Sequence, residues 1–186
     1  MLRILNGKTL EQKKDRLQVE RKVISGTDFE VMAETILRGH ENWITDACWF
    51  VEEGETRLAT CSMDKSIIIW RAREGENEVW EDWTHLGAVG GGNMGFLGIV
   101  TGKDREGNQG ILSHSYTGSM HLWWCKEEKW CSSPAPSGHY GSVRDLAWSN
   151  SFLLSTSYDQ TTRLYAKAFM FMNPYVSAIL DKFREH

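Results

Sequence analysis

A repeated order of residue types constrains the fold of this chain more than any other feature. Three segments, 58–70, 111–123 and 153–165, each begin with small or apolar residues, pass through a Ser-containing turn and end on an aromatic residue. The closing aromatic residues are Trp70, Trp123 and Tyr165, which are 53 and 42 residues apart. A period of about 40–45 residues is typical of repeats that each form a four-stranded antiparallel sheet. The spacing therefore predicts an array of such sheets.

A second signature opens two of the repeats. Gly39-His40 and Gly138-His139 each precede a short run of mixed apolar and polar residues, whereas a glycine run from Gly90 replaces this pair in the middle repeat. The segment 67–70 is apolar at every position. Such a strand is typical of a sheet covered on both faces, so we expect the sheets to stack on one another.

Composition excludes several functional classes. The 186 residues include 21 Lys and Arg against 25 Asp and Glu, for a net charge of −4, which argues against a strongly basic nucleic-acid binder. The first residues turn polar before a signal-peptide core can form, so we expect an intracellular protein. The sequence offers no cofactor site, and neither its six His nor its four Cys have metal-ligand spacing. We interpret the cysteines as free thiols.

The repeated residues resemble WD40 repeats, in which a buried tetrad of His, Ser or Thr, Asp and Trp links the strands of one propeller blade. The resemblance implies a first tetrad of His40, Thr60, Asp64 and Trp70. It implies a second tetrad of His139, Ser155, Asp159 and Tyr165, with Tyr in place of Trp.

The middle repeat departs from this pattern. Ser113 and Trp123 match, but Thr117 occupies the Asp position and no His is available. We therefore predict that the middle blade lacks the network. The Asp that ends a WD40 repeat is also absent, and its positions hold Arg71, Trp124 and Ala166.

Several segments are more specific and resemble the family of WD-repeat subunits of the Elongator complex. They are residues 39–44, 62–66, 87–96, 121–123 and 159–164. The resemblance implies a non-catalytic scaffold, in the cytoplasm and also the nucleus, that supports modification of wobble uridines in tRNA. Its partners would be the catalytic radical-SAM acetyltransferase subunit and the large scaffold subunit, with tRNA contacted at most indirectly. The alternative is an independent WD40 adaptor in signalling or transcription.

The predicted fold is all-β, a portion of a WD40 β-propeller with about three four-stranded blades. Residues 1–30 would hold the end of a preceding blade and a charged insertion loop. Residues 31–167 would hold the repeats, at 36–70, 87–123 and 136–165. Residues 168–186 form a divergent tail.

The tail has two interpretations. Asn173 and Pro174 can start a helix, and apolar residues then follow with helical spacing at Val176, Ile179, Leu180 and Phe183. A short amphipathic helix could cover part of an exposed sheet, and a floppy end is the alternative. Because an incomplete propeller leaves open edges, we also expect partner dependence or self-association.

Other motifs have competing interpretations. His40, Thr60 and Asp64 contain the groups of a hydrolase triad, but their recurrence favours a structural network. The glycine run at 90–95 fits a dinucleotide fingerprint, but a predicted strand follows it, which favours close backbone packing. The charged segment 8–22 could touch RNA or form a solvated loop. Four tryptophans outside the repeat core could anchor a partner or pack the outer strands: Trp80, Trp83, Trp124 and Trp130.

Overall fold

A computed structural model describes residues 19–24, 27–32, 36–74, 80–104, 106–149 and 152–166. Two compact units are present, one formed by residues 1–39 and 72–84 and the other by residues 40–71 and 85–186. The described residues form thirteen β-strands and no helix. The all-β prediction is confirmed. The predicted helix after Asn173 lies outside the described residues, as does the start of the chain, where we expect the end of a preceding blade.

A hairpin begins the described chain. Strand β1 (Val19–Ile24) pairs antiparallel with β2 (Thr27–Met32), with Val19 opposite Met32 and Ile24 opposite Thr27. The two intervening residues, Ser25 and Gly26, are types that favour tight turns. This pairing differs from the charged loop predicted within residues 1–30, because β-branched residues on both sides of Ser-Gly favour strands over an open loop.

Three antiparallel sheets follow along the chain. The first sheet holds β3 (Ile44–Glu52), β4 (Glu55–Ser62), β5 (Ser66–Glu74) and β6 (Trp80–Gly91), hydrogen-bonded in that order. The second sheet holds β7 (Phe96–Lys103), β8 (Gln109–Ser115), β9 (Met120–Lys126) and β10 (Lys129–Ser133), also in chain order. The third sheet has three described strands, β11 (Val143–Trp148), β12 (Phe152–Ser157) and β13 (Thr162–Ala166).

The sheets are offset from the sequence repeats. Strand β10 precedes Gly138-His139 in the chain, yet it pairs with β9 of the second sheet, with Cys131 opposite Trp124. Strand β6 likewise precedes Phe96 and belongs to the first sheet. The segments ahead of β7 and β11, the first strands of the second and third sheets, thus supply the outer strand of the preceding sheet.

An irregularity recurs at one point of each sheet and fixes which positions are equivalent. The register shifts after Ile44 in β3, after Phe96 in β7 and after Val143 in β11. A bulge of this kind adds one residue and increases the local twist. The first strand of each sheet, β3, β7 or β11, is called its inner strand here. Because all three inner strands have the same register shift, residues can be compared from sheet to sheet by their distance from this shift.

Two apolar clusters join the sheets face to face. The first combines Ala59, Ile67 and Ile69 of the first sheet with Ile111 and Trp123 of the second. The second cluster combines Leu112, Leu122 and Trp124 of the second sheet with Val143, Leu146 and Leu153 of the third. Apolar side chains on alternate positions of each strand therefore fill the space on both faces of the second sheet.

Candidate functional site

The first sheet holds a hydrogen-bond network centred on His40. The Nδ1 atom of His40 lies 2.9 Å from a carboxylate oxygen of Asp64, and its Nε2 atom lies 2.8 Å from the hydroxyl oxygen of Thr60. The indole N–H of Trp70 donates to the same hydroxyl at 2.9 Å. Because a carboxylate only accepts, Nδ1 carries the ring proton, and Thr60 donates to Nε2 while it accepts from Trp70. The four residues of the predicted first tetrad therefore lie in one chain of hydrogen bonds.

Asp64 sits in the turn between β4 and β5 and organises the loop around it. Its carboxylate accepts from the hydroxyl of Ser66 at 2.6 Å and from the backbone N–H of Glu41 at 2.9 Å. Burial alone would raise the pKa of Asp64, but the hydrogen bonds from Ser66, Glu41 and His40 lower it well below its ordinary value. The turn, the opening loop and the buried imidazole are thus tied to one anion.

The third sheet repeats this geometry around His139. Its Nδ1 atom lies 2.8 Å from Asp159, and its Nε2 atom lies 2.7 Å from the hydroxyl of Ser155. Asp159 also accepts from the Thr161 hydroxyl and from the backbone N–H of Tyr140. The Thr161 hydroxyl is the main cause of the lowered pKa of Asp159.

Tyr165, predicted as the fourth member of the second tetrad, has a different partner. Its hydroxyl donates to the backbone carbonyl of Ser137 at 3.4 Å instead of contacting Ser155. The phenol oxygen lies at the tip of the ring, whereas an indole N–H lies on its side, so the two donors reach different acceptors from the same position. The ring itself packs against the second apolar cluster.

The middle sheet has no imidazole network. Gly92 lies four residues before Phe96, just as His40 and His139 lie four residues before Ile44 and Val143. A Cβ atom on Gly92 would lie 2.9 Å from the ring of Phe96, so this ring fills the space beside the glycine. The Ser113 hydroxyl is buried without a hydrogen-bond partner. Packing replaces the polar network in this sheet.

The aromatic packing around Phe96 is extensive. Its ring meets His121 edge-on, with centroids 5.5 Å apart, and Trp123 edge-on, with centroids 5.8 Å apart. His121 stacks on Trp123 at 5.8 Å. At the Asp position, Thr117 instead shares a ring of hydroxyl hydrogen bonds with Ser115 and Ser119. These neutral groups leave no carboxylate at the place held by Asp64 and Asp159.

Sequence reasoning did not identify His114, a buried titratable group of the second sheet. A Cβ atom on Gly98 would collide with its imidazole, so the absence of a side chain at Gly98 makes room for it. Asp46 and Asp145 stand at the position of Gly98 in the other two inner strands. Burial lowers the pKa of His114, while Asp46 and Asp145 oppose this effect. The signal available in the sequence was that Gly98 replaces the Asp found in the other two inner strands, while a His stands opposite it.

The first tetrad is unsuited to nucleophilic catalysis. Thr60 is only 5% exposed, and its oxygen already accepts the N–H of Trp70.

Burial raises the pKa of the Cys61 thiol to about 11 and that of Cys125 to about 12, so neither provides a thiolate near neutral pH. Among the described residues no group of three His, Cys, Asp or Glu side chains could hold a metal ion, and no helix is long and apolar enough to cross a membrane.

The four tryptophans proposed as partner anchors differ in their surroundings. Trp124 is 6% exposed in the second apolar cluster, and its ring meets that of Trp148 edge-on. The prediction that Trp124 anchors a partner is therefore wrong. Its side chain lies on the face of the second sheet that the third sheet covers. Trp130 packs against the first cluster and Phe50. Trp83 is half-buried, and the side chain of Trp80 lies outside the described residues.

Among the residues that the structure describes, the most exposed aromatic rings lie beside the two networks. Trp43 is 80% exposed, Tyr140 94% and Tyr158 65%. Tyr140 directly follows His139 and Tyr158 directly precedes Asp159, while Trp43 lies three residues after His40. Backbone hydrogen bonds from Met63 to Trp43 and from Tyr158 to Ser142 hold these loops against the turns of their sheets. Rings held in this way are candidates for contacts with another protein.

Comparison with known proteins agrees with this geometry. Residues 33–71 and 130–166 match the WD domain, G-beta repeat, family, and these ranges contain both imidazole networks. The chain is similar to Elongator complex protein 2 of Drosophila melanogaster, with 38% identity over 84% of this chain and 20% of that protein. It is similar to Elongator complex protein 2 of Rattus norvegicus (39% identity, 75% and 18%) and of Homo sapiens (36% identity, 74% and 18%).

The chain therefore spans about a fifth of the length of these homologues. A crystal structure of Sqt1 from Chaetomium thermophilum superposes with a TM-score of 0.62 at 16% identity, over 82% of this chain and 36% of that one. That likeness concerns the fold alone. The chain is thus similar to part of Elongator complex protein 2, contains WD repeats and has the architecture of a partial β-propeller.

Proposed function

We propose that this chain is a non-catalytic scaffold portion of the Elongator complex that supports tRNA wobble-uridine modification through protein–protein contacts. The observation that carries the proposal is its 38% identity, over 84% of its length, to Elongator complex protein 2 of Drosophila melanogaster. The chain acts in the cytoplasm and also in the nucleus. Its partners are the catalytic radical-SAM acetyltransferase subunit and the large scaffold subunit.

The chemistry of the networks supports a role without catalysis. A nucleophile needs an accessible oxygen, whereas Thr60 is buried and accepts the Trp70 N–H. The net charge of −4 supports indirect contact with tRNA, because phosphate binding relies on clustered cationic side chains.

The exposed rings supply contact area for a partner. Trp43 and Tyr140 project from the loops that follow His40 and His139, and each loop is anchored through a backbone N–H to an Asp carboxylate. A rigid aromatic side chain on an anchored loop loses little conformational entropy when it is buried in an interface. The networks would thus contribute to binding by fixing these loops.

Affinity purification of the tagged 186-residue chain from cells that contain Elongator tests the proposal. We expect the catalytic subunit and the large subunit to co-purify with the chain. The double variant Trp43→Ala/Tyr140→Ala keeps both networks and should fold, yet recover less of both subunits. Asp64→Ala destabilises a network but keeps both rings, so it serves as the control for adhesion of a less stable chain; higher recovery than with the unaltered chain would identify such adhesion.

The alternative function is an independent WD40 adaptor, which the repeats support equally well. Recovery of the folded chain with neither Elongator subunit, but with another stoichiometric protein, would favour the adaptor and contradict the proposal. An enzymatic function would require an activity that His40→Ala abolishes while the chain remains folded.

A further inference from the structure

The two faces of the third sheet are covered very differently. One face packs Leu146 and Leu153 into the second apolar cluster, and the ring of Tyr165 joins them. On the other face, Phe152 is 49% exposed and Leu164 is 64% exposed. Among the described residues, this second face therefore presents large apolar side chains to solvent.

Equivalent positions in the other two sheets are buried. Leu164 pairs with Leu154 across the third sheet, as Ile69 pairs with Ala59 in the first sheet and Leu122 with Leu112 in the second. Ile69 is 2% exposed and Leu122 is 1% exposed, because another sheet covers each of them. The open face thus has the apolar pattern of a face that another element covers.

Residues 167–186 directly follow this face and supply a fitting element. Strand β13 ends at Ala166, and the matched WD repeat ends at the same residue. The following sequence places Val176, Ile179, Leu180 and Phe183 on one side of a helix that starts at Pro174. Asp181, Lys182 and Glu185 then fall on the opposite side. These four apolar residues form an apolar stripe along the helix. Packing of this stripe on the open face would remove both apolar surfaces from water.

The dimensions also agree. A helix from residue 174 to 186 would be about 20 Å long, at 1.5 Å per residue. The five residues of β13 extend over about 17 Å, so the helix would cover the full length of the strand. The intervening residues 167–173 can span roughly 23 Å when extended, which is enough to turn the chain back over the sheet.

We propose that residues 174–186 form an amphipathic helix that lies on the open face of the third sheet, over Phe152 and Leu164. The occupant is this chain's own C-terminal segment, in the place where the first and second sheets have a neighbouring sheet. The proposal is independent of the function proposed above, since it concerns only contacts within the chain.

Photo-crosslinking of the full-length chain tests the contact. Phe152→p-benzoylphenylalanine changes the open face little, because the new residue keeps the phenyl ring. After irradiation of an equal mixture of isotopically light and heavy chains, mass spectrometry identifies the crosslinked peptides. We expect crosslinks from position 152 to residues 176–183 within one chain. Tyr140→p-benzoylphenylalanine, on an exposed loop, should give none to that segment.

A matched pair of tail variants controls for the helix itself. Ile179→Asp puts a charge on the apolar stripe and should reduce the crosslink yield at least fivefold. Ala178→Asp puts the same charge on the opposite side, one residue away, and should leave the yield within twofold. Crosslinks between light and heavy chains would instead identify a second copy as the occupant. That outcome, no crosslink to residues 176–183, or equal yields from the two variants would overturn the proposal.

Discussion

Asp64 and Asp159 connect three structural parts in their sheets. Each accepts a hydrogen bond from the buried imidazole, from the opening loop and from the hydroxyl two residues later in its own turn. Because these bonds favour the ionised form, both side chains have a lowered pKa. Their charge is therefore linked to folding.

We predict that acid weakens the fold through these two carboxylates. An unfolded Asp titrates near pH 4, and a lowered native pKa gives stability that is complete above that pH and is lost as the pH falls further. Urea denaturation between pH 6 and pH 2 measures the effect. Asp64→Asn, which keeps an acceptor oxygen but cannot titrate, should flatten the loss below pH 4. If the free energy of unfolding of this variant fell with pH as steeply as that of the unaltered chain, Asp64 would not be a cause of the acid sensitivity.

A second residue-level prediction concerns the exchange of Asp for Gly opposite His114. His114→Thr removes an imidazole that fills the space at Gly98, so we expect a loss of about 2 kcal/mol from the resulting cavity. Gly98→Asp alone should cost about 1–3 kcal/mol through overlap with the imidazole. The double variant recreates the Asp145 and Thr156 pair of the third sheet and should recover most of both losses. Additive losses would show that the two positions do not share the space.

The same double variant should change the pH dependence near neutrality. Burial lowers the native pKa of His114, so the unfolded chain binds more protons below about pH 6.5 and stability falls there. Removing the imidazole should reduce the loss between pH 7.5 and pH 5.5. Chemical denaturation at these two pH values measures it, and His85→Gln, at an exposed position, is the control.

At the level of elements, glycines set how closely the second and third sheets approach. A Cβ atom on Gly102 would overlap the indole of Trp148, whereas one on Gly91 would make ordinary contact, 3.5 Å from the Lys65 carbonyl. We predict that Gly102→Ala lowers the free energy of unfolding by about 1–3 kcal/mol and that Gly91→Ala has little effect. Urea denaturation of both variants checks this, and equal midpoints would contradict the close packing.

The repeats made part of this arrangement predictable. The recurring His, hydroxyl and Asp positions indicated where the networks lie, and the spacing of the closing aromatic residues indicated an array of sheets. Aromatic packing was harder to predict from the sequence. Neither the filling of the space beside Gly92 by Phe96 nor the burial of Trp124 follows from spacing along the chain. Tyr165 was placed in the correct strand, but the direction of its hydroxyl depends on a backbone carbonyl, that of Ser137, which no motif records.

At the scale of the whole molecule, ionic hydrogen-bond networks tie the first and third sheets, whereas packing holds the middle sheet. Equivalent turn positions carry Asp64, Thr117 and Asp159. Loss of a half-buried carboxylate leaves its donors without an acceptor, whereas loss of the Thr117 hydroxyl leaves the Ser115–Ser119 hydrogen bond in place. The three turns should therefore respond unequally to the same substitution.

Differential scanning calorimetry of Asp64→Ala, Thr117→Ala and Asp159→Ala tests this description most directly. We predict a loss of about 2–5 kcal/mol for Asp64→Ala, equivalent to roughly 5–15 °C in Tm for a chain of this size. Asp159→Ala should also lower Tm, and Thr117→Ala should leave it nearly unchanged. Equal melting temperatures for the three variants and the unaltered chain would contradict the assignment of the His40 and His139 networks as the elements that hold the outer sheets.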